Sequence, residues 1–303
     1  MQLGPTLILD TFAEAFRMRY ARLVVTAGDA YWLDCALREM CGYGTSVIGC
    51  DAEAGVERRV DRSETPDGRG GAAVLAFGFS PEATSQAVAN RVGQCLMTCP
   101  TAAAYNGLPD AADQAPLGRH LRFFGDGYQK SKVAGGRRVW RIPVMDGEFL
   151  VDEVIGVDKG VAGGNIILQG ATPQAALAAA RRAVDALADR PGVVTPFPGG
   201  VVRSGSKVGS RYRALRASTN EAYCPTLRGR VASQLVEGAN AAYEIVVNGV
   251  DEQAGAPAMA VAMRSAAGEG LLAIGAGNYG GKLGKFHFSL HQVLAGFPPA
   301  PAS

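Results

Sequence analysis

A chain of 303 residues, 48% hydrophobic and 19% charged, has apolar mass for about two domains of ordinary size. Its formal net charge of +2 and its scattered lysines and arginines exclude an electrostatic nucleic-acid binder. No run reaches the ~18–20 consecutive apolar residues needed to span a bilayer, and residues 1–10 show no basic leader ahead of a cleavable apolar core, so a cytoplasmic protein is expected.

From the N-terminus onward, four segments repeat one pattern: a β-rich run, a capping residue, then a stretch of helical period. The first predicts a strand at residues 22–26, Asp29 as N-cap and a helix over 30–41. The second predicts a strand at 74–79, Ser80 as N-cap and a helix over 81–96. Next, residues 138–142 and 148–152 read as a hairpin turning at Asp146-Gly147. Arg137, Arg138 and Arg141, the densest basic cluster, are expected on its solvated edge. The third unit predicts a strand at 165–170, Thr172 as N-cap and a helix over 173–188; the fourth, a strand at 243–248, Asp251 as N-cap and a helix over 252–266.

Ser80-Pro81 and Thr172-Pro173 both pair a hydroxyl cap with proline at the first helical position. The run Gly78-Phe79-Ser80-Pro81-Glu82-Ala83 also aligns with Gly170-Ala171-Thr172-Pro173-Gln174-Ala175. Four β–α units make two β-α-β-β-α-β sets, the split-βαβ or ferredoxin-like arrangement. The expected fold is therefore α+β, with ferredoxin-like lobes over 1–141 and 142–291 related by internal duplication. Residues 292–303, rich in Pro and Ala, are expected to form a flexible tail.

Six cysteines without a Cys-x-x-Cys pair and three widely separated histidines predict buried, reduced thiols and no metal site. Gly275-Ala276-Gly277-Asn278-Tyr279-Gly280 fits G-x-G-x-x-G, but a dinucleotide site needs a helix next, and residues 285–290 read as a strand. These glycines are read as a wide hairpin whose amides face a ligand. Residues 203–210, which include Ser206 and Lys207 among glycines, allow either a plain polar loop or an anion cradle. Glu244 lies inside the apolar run Tyr243-Glu244-Ile245-Val246-Val247. On an edge strand it would be a solvated charge; desolvated, its pKa would rise toward neutrality, which suits proton transfer near pH 7.

Several segments resemble the formylmethanofuran–tetrahydromethanopterin formyltransferase family, in family order. They include Asp10-Thr11-Phe12-Ala13-Glu14-Ala15-Phe16, Glu64-Thr65-Pro66-Asp67-Gly68-Arg69, Phe123-Phe124-Gly125-Asp126-Gly127-Tyr128-Gln129 and Phe197-Pro198-Gly199-Gly200. Further on come Ser206-Lys207-Val208-Gly209-Ser210, Ala217-Ser218-Thr219-Asn220, Tyr223-Cys224-Pro225-Thr226, Tyr243-Glu244-Ile245-Val246 and Gly280-Gly281-Lys282-Leu283-Gly284. The resemblance implies an acyltransferase of one-carbon metabolism that uses no bound cofactor or metal, with tetrahydromethanopterin and a methanofuran-type amine carrier as substrates. It implies Glu244 as the proton shuttle through a tetrahedral intermediate, and Ser206, Lys207, Asn220 and Lys282 as candidates to hold the carriers' anionic tails. It also implies a homo-oligomer, dimer or tetramer. The alanine- and arginine-rich composition is similar to the members of aerobic methylotrophic bacteria, for which the resemblance implies formaldehyde oxidation in complex with companion hydrolase subunits. The alternative is a non-catalytic carrier-binding or scaffolding subunit of such a formyl-hydrolysing complex.

Overall fold

A computed structural model of the chain describes residues 1–134 and 136–298. The chain groups into two compact units, one of Met18–Gly160, the other of Met1–Arg17 together with the chain from Val161 onward. This grouping differs from linear halves of 1–141 and 142–291. The physical reason is two long strands, Phe12–Thr26 and Val154–Gly170, each of which supplies residues to both units.

The four expected helices form at Ala30–Cys41, Pro81–Arg91, Pro173–Asp185 and Glu252–Ala266. The second continues as a π-helical turn, Val92–Leu96, and the third stops at Asp185, short of the expected 188. Each begins where its cap places it. The side chains of Asp29, Ser80, Thr172 and Asp251 accept from the backbone N–H of Trp32, Ala83, Ala175 and Ala254. Each bond satisfies a donor that the first helical turn would otherwise leave open.

In the unit Met18–Gly160, Gly71–Gly78 pairs antiparallel with both Phe12–Thr26 and Glu53–Val60, and Ala103–Asn106 pairs antiparallel along the other edge of Phe12–Thr26. In chain order these four strands therefore lie second, third, first, fourth. Leu23, Val25, Val74 and Ala76 point to one face and bury against Leu33, Leu37 and Met40 of one helix and Val88 of the other. Full burial of each large aliphatic side chain stabilises by roughly 1.5–3 kcal/mol. The predicted hairpin appears as Arg137–Val144 and Gly147–Asp152, extended by Lys130–Ala134. Its Arg137 departs from the expected solvated edge: it pairs with Asp152, a buried carboxylate.

The other unit repeats the order. Ala241–Gly249 pairs antiparallel with Val154–Gly170 and Val193–Val194, and Leu271–Gly275 pairs antiparallel along the other edge of Val154–Gly170. Thr6–Ile8 adds parallel to Leu271–Gly275. The helix Pro173–Asp185 buries only alanines, Ala176, Ala179, Ala180 and Ala183, while Glu252–Ala266 buries Met259 and Met263 among small residues. Ile166, Leu168, Ile245 and Val247 supply the sheet side of this core.

Two expectations near the C-terminus are corrected. Leu271–Gly275 and Phe286–Ser289 do not form a hairpin, because the latter pairs antiparallel with the start of Phe12–Thr26. Residues 292–296, expected in the tail, belong to the helix Leu290–Gly296, which buries Val293 and Leu294; residues 299–303 of that tail lie outside the described residues.

Candidate functional site

In the strand Ala241–Gly249, side chains alternate between faces. Ile245 and Val247 enter the core beneath the helices, so Glu244 projects from the opposite face. Glu244 is paired with Ile167 on one side, and Ile167 in turn faces Gly275. On its other side, the Glu244 backbone N–H donates to Val202 (3.0 Å) and its carbonyl accepts from Val202 (2.7 Å). The edge-strand reading is thereby excluded: backbone pairing occupies both flanks. The carboxylate is partly buried and has no side-chain hydrogen bond or ion pair among the described residues. Burial pushes its pKa up to about 7.

Two tyrosines share this neighbourhood. Tyr223 closes the 3-10 turn Glu221–Tyr223, and its hydroxyl lies 3.9 Å from where a Cβ on Gly275 would stand. A Cβ at Gly275 would meet that phenol at ordinary contact distance; its tight neighbour would be Leu9 Cδ1, at 3.1 Å. Burial, then the Glu244 charge, push the Tyr223 pKa up. Tyr279 follows the same pattern: burial raises its pKa first, the Glu244 and Glu14 carboxylates add to this, and a backbone hydrogen bond with Val208 opposes them. Its ring is tilted against Phe16, with centroids 6.5 Å apart.

Tyr279 opens the glycine-rich loop expected to face a ligand. That loop faces Glu14. Oε2 of this buried carboxylate accepts from the backbone N–H of Tyr279 (2.7 Å) and Gly281 (3.0 Å), and Oε1 from Leu283 (2.6 Å) and Gly284. Burial alone would raise the Glu14 pKa; these four amides outweigh it and hold the carboxyl below its ordinary value. Glycine is required where the loop closes: a Cβ on Gly284 would lie 2.4 Å from the Ala15 carbonyl oxygen. Gly280 and Gly281 take φ of +71° and +73°, a region L-residues seldom adopt.

The remaining sequence-predicted residues occupy two places. Ser206 and Lys207 sit on the short strand Ser206–Val208, paired with Ala217–Thr219. Ser206 is exposed; Lys207 is partly buried and ion-paired with Glu221. Lys207 also lines an open groove of about 730 Å³ with Arg211, Tyr212, Ser218 and Arg230. Asn220 begins the turn that carries Tyr223, its carbonyl accepting from the Tyr223 N–H at 3.0 Å. Lys282 is exposed on the loop held by Glu14 and does not line the groove. Sequence reading assigned no role to Glu14, Tyr223 or Tyr279. Glu14 has the signature that drew attention to Glu244, a lone carboxylate among apolar neighbours in a strand, here Ala13-Glu14-Ala15.

All six cysteines are free and partly, not fully, buried. Burial pushes Cys41 up to about 12 and raises Cys50, Cys95 and Cys99, which leaves little thiolate for nucleophilic chemistry. Among the described residues, no three His, Cys, Asp or Glu side chains converge on one point, and no helix is long and apolar enough to cross a membrane.

Comparison with known proteins gives a consistent result. Residues 1–144 match the family described as formylmethanofuran-tetrahydromethanopterin formyltransferase, and residues 147–293 match its proximal lobe. A formylmethanofuran–tetrahydromethanopterin formyltransferase of Rhodopirellula baltica is 50% identical over 95% of this chain and 91% of its own length. The solved formylmethanofuran:tetrahydromethanopterin formyltransferase of Methanosarcina barkeri superposes with a TM-score of 0.92 at 44% identity, covering 97% of this chain and 100% of that one. A chain of the formyltransferase/hydrolase complex FhcABCD from Methylorubrum extorquens, solved with methylofuran, gives 0.90 at 43% identity, covering 95% and 96%.

Proposed function

The chain belongs to the formylmethanofuran–tetrahydromethanopterin formyltransferase family, and from that premise we propose that it moves a formyl group between tetrahydromethanopterin and the amine of a methanofuran-type carrier. The observation that carries the chemistry is Glu244: a carboxylate with no side-chain hydrogen bond or ion pair among the described residues, its pKa pushed by desolvation up to about 7. In the reaction the carrier amine attacks the formyl carbon, a tetrahedral oxyanion forms, and the bond to the other nitrogen breaks. One proton must leave the attacking nitrogen and another must reach the departing one. An acid half-ionised near neutral pH performs both transfers with least penalty. Raised pKa values keep Tyr223 and Tyr279 protonated at neutral pH, so both phenols are available as donors to the oxyanion.

Ser206, Lys207, Asn220 and Lys282 hold the anionic tails of the carriers in this reading. Support is strongest for Lys207, which lines a groove with Arg211 and Arg230. The strand order second, third, first, fourth in both units supports classing each as ferredoxin-like, derived from an internal duplication whose linear boundary is near 141/142. We further propose a cytoplasmic homo-oligomer that works with companion hydrolase subunits in formaldehyde oxidation to formate. The likeness to a chain of a formyltransferase/hydrolase complex supports the companion hydrolase subunits. The decisive experiment is a formyl-transfer assay on the purified chain with both carriers. Transfer by wild type and its loss in Glu244→Gln are expected; an inert wild type that still binds a carrier would instead make this a carrier-binding subunit.

A further inference from the structure

We propose that Glu14 is a positioning residue for formyl transfer: by gathering four backbone amides of residues 279–284 onto one carboxylate, it fixes the loop that presents Tyr279 to the Glu244 site. This inference rests on the function proposed above.

The geometry begins at the sheet. Gly275 ends its strand opposite Ile167, the residue that also faces Glu244, so the loop leaves the sheet from the row that carries the proposed acid. Asn165 then holds the next stretch, its Oδ1 accepting from the Gly277 N–H at 2.6 Å and its Nδ2 donating to the Gly277 carbonyl at 3.4 Å. Asn278 donates to the Phe12 carbonyl at 3.0 Å. Beyond it, residues 279–284 have no strand or helix of their own. Glu14 takes the place of a strand partner, one oxygen serving Tyr279 and Gly281, the other Leu283 and Gly284.

A carboxylate is the one side chain suited to this task, because both oxygens accept and neither donates. Glutamine in either orientation turns an NH₂ toward two N–H donors. The two amides on that side then repel rather than bind, so the loop keeps at most one of its two anchors, either Tyr279 with Gly281 or Leu283 with Gly284. Nothing in this arrangement brings Glu14 to a substrate, and its own proton stays off at neutral pH because the amides favour the ionised form. Its effect on catalysis passes through Tyr279, whose displacement by a fraction of a residue spacing removes a donor aligned for the transition state.

The test compares Glu14→Gln with wild type, Glu244→Gln and Thr6→Ala. Thr6 is a purely structural control in the same unit, where its hydroxyl donates to the Leu271 carbonyl. Purified proteins are assayed for kcat, KM and the pH dependence of kcat, and amide hydrogen exchange is followed by mass spectrometry across residues 279–284. Expected for Glu14→Gln are faster exchange in that segment, a kcat lower by roughly 10–100-fold with KM nearly unchanged, and a displaced pH limb near neutrality. Thr6→Ala should lose stability without these changes. A folded Glu14→Gln whose kcat and pH profile match Thr6→Ala would overturn the inference, as would unchanged exchange. If Glu14→Gln does not fold, Glu14→Asp carries the same test, since its shorter reach keeps the charge but cannot serve both pairs of amides; normal kcat there overturns it equally. An inactive wild type would reject the function itself, while the exchange data would still decide whether Glu14 anchors the loop.

Discussion

Glu244 and Glu14 stand in one unit as carboxylates with opposite electrostatic settings, and their mutants should respond to pH with opposite sign. Glu244 is raised to about 7 by burial, so between its ordinary pKa and that value the folded state binds more protons than the unfolded state. Stability must then fall as pH rises through this window. Glu244→Gln removes that cost: its melting temperature should exceed wild type by a few degrees at pH 8 and show no advantage near pH 4.5, while kcat drops by roughly 10²–10⁴-fold. Near-normal turnover in a folded Glu244→Gln would eliminate the proton-transfer role. Glu14 is held below its ordinary value by the four amides. Its contribution is present above the unfolded pKa and is lost as pH falls through the folded one. Glu14→Gln should therefore be less stable than wild type at pH 7, by about 2–4 kcal/mol for two amides left facing a donor, with the gap closing in acid.

At the scale of elements, the caps and the alanine face make separate demands. Thr172→Ala and Asp251→Ala should each cost about 1 kcal/mol, because each leaves an N-terminal amide unsatisfied; denaturant midpoints at constant m-value would measure this. Ala180→Leu should cost more, on the order of 1–3 kcal/mol or above, since Ala180 is fully buried and three extra carbons must displace packed neighbours. If Ala180→Leu is neutral, the close packing of Pro173–Asp185 is not required. Lys207→Ala acts at the groove instead. Its expected signature is a several-fold higher KM for one carrier with kcat unchanged, as lost uniform binding gives; a change in kcat alone would remove Lys207 from the binding surface.

At the scale of the molecule, each compact unit takes residues from both ends of the chain or from beyond its own half. Residues 1–17 belong with the chain from Val161 onward and supply Thr6–Ile8 and the pairing partners of Phe286–Ser289. Cutting between residues 144 and 147 should therefore yield a C-terminal fragment that does not fold alone, because it lacks those strands and Glu14, whereas co-expression of both fragments should restore soluble protein. A cooperative melt of the isolated C-terminal fragment would disprove this. Local chemistry decided much in advance: the four helices start at the caps read from sequence, since a cap and its first turn lie within four residues of each other and no distant contact is needed. Glu244 stood out for the same reason, as a charge inside an apolar alternating run. What sequence could not settle was which strands pair across long separations. That pairing set the compact units against the linear halves, turned the expected glycine hairpin into a loop wrapped on Glu14, and placed Tyr223 and Tyr279 near Glu244. Those contacts join residues more than 200 positions apart in the case of Glu14, and their free energy comes from burial and hydrogen bonding that exist only once the tertiary fold has closed.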